Sequence, residues 1–166
     1  VDLTHEAHDL IGAVETGWEM DLEPIDAQEV LERAVAVVAE QYPDAEVVNE
    51  TSDGAVRVAA NEFLSSVFGN LLRNAVVHND SDVPEVRVTA ETTAEDYRVR
   101  IADNGPGIPD EQRADLFEKG TKGLESPGSG IGLYLVSSLV SAYGGTVDAA
   151  DNEPRGTVMT VTLPRA

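Results

Sequence analysis

An α/β domain is predicted for this chain by three observations. Segments with apolar residues at helical spacing alternate with short segments of apolar–polar alternation. The length, 166 residues, suits one such domain with a short extension and a single core. One stretch, residues 105–130, is punctuated by glycine and proline, which predicts a long ordered loop between the last helix and the strands before it.

Taken in order, residues 1–20 carry Leu3, Ala7, Leu10, Ile11 and Val14 at amphipathic helical spacing, too short a helix to be a domain alone. Leu22 to Asp26 reads as extended, with Asp26 as N-cap of a helix reaching Gln41, so a boundary is placed near Asp21. Strands are expected at residues 46–49 and 55–59, joined as a small hairpin through Ser52, Asp53 and Gly54. From residue 61 to 78, Phe63, Leu64, Val67, Phe68, Leu71, Leu72 and Ala75 cover one broad face and predict the central packing helix. Strands at residues 85–91 and 97–102 should have one wet face. After the long loop, with at most a helical turn near residues 112–117, a helix at 131–143 ends at Gly144 and Gly145, and strands follow at 146–149 and 157–163.

The charge narrows the function classes. Against 31 acidic residues stand 11 basic ones, nine Arg and two Lys, a formal net charge of −20 that repels nucleic-acid phosphates. So few lysines among so many carboxylates are expected of a protein adapted to molar salt, where self-repulsion is screened. No cysteine is present, so disulfides and thiolate metal sites are excluded and a reducing cytosol is expected. No run of about eighteen apolar residues predicts a membrane span, and no direct membrane contact is expected of this fragment.

Three motifs carry possible chemistry. Asn70 and Asn74 lie one turn apart on the central helix with His78 continuing the stripe at the border of the apolar arc. Two mid-helix amides in register suit either a structural hydrogen-bond relay or a ligand site. DNGPGIP, Asp103 to Pro109, follows a predicted strand, so Asp103 should project from the strand end, although DNGPG is also an ordinary β-turn. Gly128-Ser129-Gly130-Ile131-Gly132-Leu133 opens the last helix, where free N–H groups and the positive helix end suit a phosphate; the long loop before it argues against a dinucleotide fingerprint. Both lysines of the chain, Lys119 and Lys122, lie in that loop, either as solvated charges or as partners of a phosphate.

Together NLLRNAVVHN (Asn70 to Asn79), DNGPGIP, LFEKG (Leu116 to Gly120) and GSGIGL (Gly128 to Leu133) resemble, in order, the N, G1, F and G2 boxes of the catalytic ATP-binding domain of sensor histidine kinases. Gly156 to Pro164 resembles the same family's C-terminal end. The resemblance implies a two-layer α/β sandwich of the Bergerat type, a mixed, mainly antiparallel sheet covered on one face by about three helices, with a long ATP lid. It implies Mg²⁺ and ATP as cofactors. Asp103 would accept from the adenine amino group, Asn74 would hold Mg²⁺ through its carbonyl oxygen, and Asn70 would support it. Gly105, Gly107, Ile108, Gly128, Ser129, Gly130, Ile131, Gly132, Leu133 and Thr157 would line the nucleotide, with Lys119 and Lys122 toward the phosphates. Arg73 and His78 match positions near the phosphates, with surface charge or helix packing as the other reading of each; Phe117 would anchor the lid.

Gyrase-like members have a glutamate where Asn70 stands, and an amide cannot take a proton from water, so rapid hydrolysis is not expected. The implied reaction moves the γ-phosphoryl to a histidine. His5-Glu6-Ala7-His8 departs from the family's acceptor motif, so residues 1–20 are read as the tail of the second dimerisation helix and linker, and residues 21–166 as the catalytic domain. The implied partners are a dimerisation domain of the same protein, within a homodimer, and a response-regulator receiver domain, on the cytoplasmic side. Two rival readings are an anti-sigma-type serine protein kinase, which usually begins directly with this fold, and a non-catalytic nucleotide-sensing module.

Overall fold

A computed structural model describes residues 21–51, 54–113 and 129–166. Strand β1 (Glu23–Asp26) leads into α1 (Ala27–Gln41), followed by β2 (Glu46–Asn49), β3 (Arg57–Ala60), α2 (Leu64–Val77), β4 (Glu85–Thr92) and β5 (Asp96–Asp103). A single turn, α3 (Asp110–Arg113), precedes α4 (Ser129–Ala142), and β6 (Thr146–Asp151) and β7 (Thr157–Pro164) complete the chain. The helix expected over residues 1–20 and the position of Phe117 lie outside the described residues.

Five strands form the main sheet in the order β2-β4-β5-β7-β6. Only β2–β4 is parallel; β4–β5, β5–β7 and β7–β6 are antiparallel. The mixed, mainly antiparallel sheet is thus as expected, but the hairpin between the second and third strands is not. Strand β2 pairs with β4, whereas β3 pairs with β1 in a separate two-stranded sheet, Glu23 opposite Ala60 and Asp26 opposite Arg57. Turn residues at 52–54 suggested a local reversal. What decides the pairing is burial: Val58 and Ala60 are buried beside α1 while Val47 faces the main sheet's helix side.

The helix layer covers one face of the sheet. Along β5, Tyr97, Val99 and Ile101 are buried and Arg98 and Arg100 are not; along β7, Met159, Val161 and Leu163 repeat the pattern. Against them pack Leu31, Val35 and Val38 of α1, Val67, Phe68, Leu71 and Leu72 of α2, and Val136, Leu139 and Val140 of α4. The other face carries Arg87 paired with Glu50, and Arg98 and Arg100 about Glu91.

Helix ends follow the local sequence. Asp26 caps α1 by accepting from the N–H of Gln28 and Glu29, and the same Oδ1 accepts from Val56, tying β3 to the helix start. Helix α4 closes in a Schellman motif: Gly145 N–H reaches Val140 O at 2.9 Å and Gly144 N–H reaches Ser141 O at 3.0 Å, with Gly144 at φ +83°.

One buried polar contact joins the layers. Gln28, 3% exposed, accepts a hydrogen bond from the hydroxyl of fully buried Tyr97 and donates to Thr51 Oγ1 at 2.7 Å. Tyr97→Phe leaves that buried acceptor unpaired and is expected to destabilise the fold by about 1–3 kcal/mol, measured as a lower urea midpoint at unchanged slope.

Candidate functional site

The same periodicity that builds the core aims the candidate residues. Helix α2 buries Val67, Phe68, Leu71, Leu72 and Ala75, which leaves Asn70, Asn74 and His78 on a half-buried stripe at the edge of that face. Asn70 donates from Nδ2 to Ser66 O at 2.7 Å, back along its own helix. Asn74 differs: its Nδ2 is buried and has no hydrogen-bond partner among the described residues. A buried amide donor left unpaired costs roughly 1–3 kcal/mol, so a ligand oxygen there would recover what the empty fold gives up. His78 closes the helix, its N–H donating to Asn74 O at 3.2 Å.

Asp103, the last residue of β5, shares the parity of Tyr97, Val99 and Ile101 and therefore turns toward the helix layer. Its Oδ1 accepts the backbone N–H of Gly105 at 2.9 Å and of Thr157 at 3.1 Å. Burial pushes this carboxyl above its ordinary value of 3.8, opposed by those two N–H groups and by the charge of Arg155. Gly107, at φ +80°, would bring a Cβ 3.3 Å from Gly156 O, so the loop after Asp103 lies directly on the β6–β7 turn.

The end of α2 is joined to this loop by amides. Asn79 Nδ2 donates to Asn104 Oδ1 at 2.7 Å, and Glu85 N–H donates to the same oxygen at 2.9 Å. Ser81 Oγ donates to Asn104 O at 2.6 Å. Asn79 and Asn104 thus fix the asparagine helix against the Asp103 loop, and a Cβ on Gly105 would come 3.5 Å from Asn79 Cα.

Placement of the other expected residues is uneven. Thr157 is buried on β7 beside Asp103, and Leu133 is buried in the first turns of α4. The helix over Ser129, Gly130, Ile131 and Gly132 begins two residues earlier than expected, and Ile108 is half-buried. Arg73 is not brought to the Asn70–Asn74 edge: its guanidinium lies over Gly69 and lines a groove between α1 and α2 with Val30, Ala34 and Val38. Lys119, Lys122 and Gly128 lie outside the described residues. Among the described residues no cluster of three or more His, Cys, Asp or Glu could hold a metal.

Comparison with known proteins decides what this arrangement belongs to. The profile of the histidine kinase-, DNA gyrase B- and HSP90-like ATPases matches residues 59–166. The chain belongs to that ATPase family. Among solved structures, the mycobacterial sensor histidine kinase MprB is 30% identical with a TM-score of 0.75, over 87% of this chain and 97% of that one. The ATP-binding domain of PrrB from Mycobacterium tuberculosis is 26% identical with a TM-score of 0.73, over 89% and 99%. The sensor-type histidine kinase PrrB of Mycobacterium bovis is 28% identical over 166 residues, 99% of this chain but 37% of that protein. The chain therefore spans little more than a third of that relative's length. No helix among the described residues is long and apolar enough to cross a membrane.

Sequence reasoning missed several residues around this family's site. Asn79 and Asn104 sat inside the quoted motifs but their pairing crosses 25 positions, which no local pattern signals. Asn152 and Arg155 lie in the β6–β7 turn, between two predicted strands, where no motif drew attention to them. Arg113, outside every quoted motif, bonds Ile108 O at 3.3 Å and Asp151 at 2.5 Å.

The raised Asp103 carboxyl has a definite stability sign. Its folded pKa lies above the unfolded value, so the folded chain takes up the proton first; the charged form costs stability above the folded pKa, and that cost vanishes as pH falls through it toward 3.8. Asp103→Asn keeps a side-chain oxygen for Gly105 and Thr157 and removes the charge. The ligand-free variant is expected to melt at the same or a higher temperature than the parent at pH 7, read by circular dichroism.

Proposed function

We propose that this chain binds Mg-ATP and donates the γ-phosphoryl group to a histidine on a dimerisation domain elsewhere in the same protein, as in two-component signalling. The observation that carries this reading is the inward carboxylate of Asp103, with Oδ1 committed to two backbone N–H groups and the second oxygen turned to neither. A carboxylate accepts from an exocyclic amino group and offers nothing to a carbonyl, so it selects adenine over a 6-oxo purine. Asn74 supports the phosphate end: its buried, unpartnered Nδ2 suits a phosphate or water oxygen, and its carbonyl is a hard oxygen donor for Mg²⁺. Asn70 stands beside it. Bound Mg²⁺ supplies charge neutralisation on the phosphate oxygens. Arg73, turned toward α1, has no part in this site.

The transfer needs little from the protein beyond position. A neutral imidazole nitrogen attacks the γ-phosphorus, the bond from that phosphorus to the ADP oxygen breaks, and ADP leaves as the phosphohistidine forms; the imidazole proton passes to solvent. Asn70 cannot act as a base toward water, which favours transfer over hydrolysis. Lys119 and Lys122, and the N–H groups opening α4, are assigned to the phosphates. The accepting histidine belongs to a segment preceding residue 21 or lying outside this sequence, the response regulator is the further acceptor, and the acidic surface suits a salt-rich cytoplasm.

Mg-ADP at a hundred times its dissociation constant should stabilise the fold by about 2.7 kcal/mol, seen as a raised melting temperature that Asp103→Asn and Asn74→Ala reduce. Because the base contact needs the carboxylate, affinity should fall as pH drops through the raised Asp103 pKa, above 3.8. Mixed with a dimerisation domain carrying its histidine, the protein should yield acid-labile phosphate; acid-stable phosphate instead would mean a serine kinase, and no transfer a sensing module. Replacing both Lys119 and Lys122 by Ala should weaken ATP while leaving adenosine binding unchanged, measured by calorimetry.

A further inference from the structure

The end of β5 exchanges its hydrogen-bond partners in an unusual way. The β5–β7 ladder runs from Asp96 opposite Pro164 to Ala102 opposite Val158 and stops there. One residue further, Thr157 N–H turns to the side chain of Asp103, Oδ1 at 3.1 Å, instead of its main chain. The main-chain carbonyl of Asp103 is taken by a different donor, the side-chain amide of Asn152, at 2.7 Å. The carboxylate occupies the place of a strand partner, and an amide from the β6–β7 turn replaces the partner it displaced.

This exchange requires a close approach that one residue permits. Gly156 has φ +109°, and a Cβ there would sit 1.9 Å from Asp103 O and 2.9 Å from Asp103 Oδ1. The turn is also held at its other points. Asn152 N–H donates to Gly156 O at 3.0 Å, and Asn152 Oδ1 accepts from Glu153 N–H at 3.0 Å, so the amide is oriented from within the turn. Arg155 pairs with Asp80 at 2.8 Å and reaches Ser81 Oγ at 3.3 Å, fastening the turn to the loop that follows α2.

We propose that Asn152 is a positioning residue for base selection: its amide fixes the Asp103 main chain, and so the direction in which the free carboxylate oxygen points. This rests on reading Asp103 as the acceptor for the base's amino group. Asn152 does not touch the nucleotide. It acts through Asp103, with Arg155 steadying the turn from the exposed side, so its loss should harm adenine recognition selectively.

The test compares ADP with inosine diphosphate, which carries a carbonyl in place of the amino group, by calorimetry on the whole 166-residue chain. Asn152→Asp keeps the size of the side chain but loses its donor; it should weaken ADP about ten-fold while changing inosine diphosphate less than about two-fold. In the Asp103→Asn background the same substitution should cost ADP nothing more, because the two residues act as one unit. Equal losses for both nucleotides, additive losses in the double variant, or unchanged ADP binding would overturn the proposal. If Asn152→Asp does not fold, Arg155→Gln decides instead: a base-selective loss of about three-fold supports the role, and a loss common to both nucleotides overturns it. Failure of the underlying reading looks different: the parent protein would bind the two nucleotides alike, or Asp103→Asn would not change their ratio.

Discussion

The burial of α2 between α1, α4 and the sheet is the constraint on which the rest depends. Val67, Phe68, Leu71 and Leu72 are all but completely buried, so the helix cannot rotate about its axis without exposing several large apolar groups at roughly 25 cal/mol per Å². That rotation angle in turn sets where Asn70 and Asn74 point. A functional stripe at the border of an apolar arc is therefore a position determined by packing; nothing in the amides themselves holds it. The amide pair Asn79–Asn104 then fixes the helix's far end to the loop after β5.

The second wall of the site is held by different physics. Asp103 is a carboxylate in a place where burial works against its charge, kept there by two main-chain N–H groups and the field of an arginine. A desolvated carboxylate of this kind is common at sites where a group must meet a partner that arrives later, which is the role proposed for it. Asn74 shows the same pattern with a neutral group, a buried donor with no acceptor among the described residues. Asn74 thus departs from the full polar satisfaction seen in the Gln28–Tyr97 contact, and Asp103 bears a desolvation that its hydrogen bonds only partly offset.

Much of this was legible from residue order. The helix over α2 and the strands of β4, β5 and β7 follow from clean periodicity, since each buries one face and only one. Asp103 at a strand end and glycines after it were visible as a motif. The misplaced hairpin shows where such reading stops: β2 and β3 are four residues each, too short for their pattern to name a partner, and the choice between neighbours was made by α1 lying over Val58 and Ala60. Arg73, matched by motif position to the phosphates with helix packing as its other reading, lies with its guanidinium over Gly69 toward α1, since one step along a helix turns a side chain by about a quarter of a circle away from Asn74. Asn152 could not have been found at all from local pattern, because its partner lies 49 positions away.

Among the described residues the order of the main sheet leaves β2 and β6 as its two edges. An open edge is a template for another chain's strand, and proteins that keep one must discourage the addition. Here β2 is only four residues long, with Glu46 at its start, and β6 carries Asp148. Two copies brought edge to edge would bring carboxylates together in a region of low water content. The acidity that reads in the sequence as a general surface property thus also has a local effect: like charges at the sheet's edges work against the addition of another strand there.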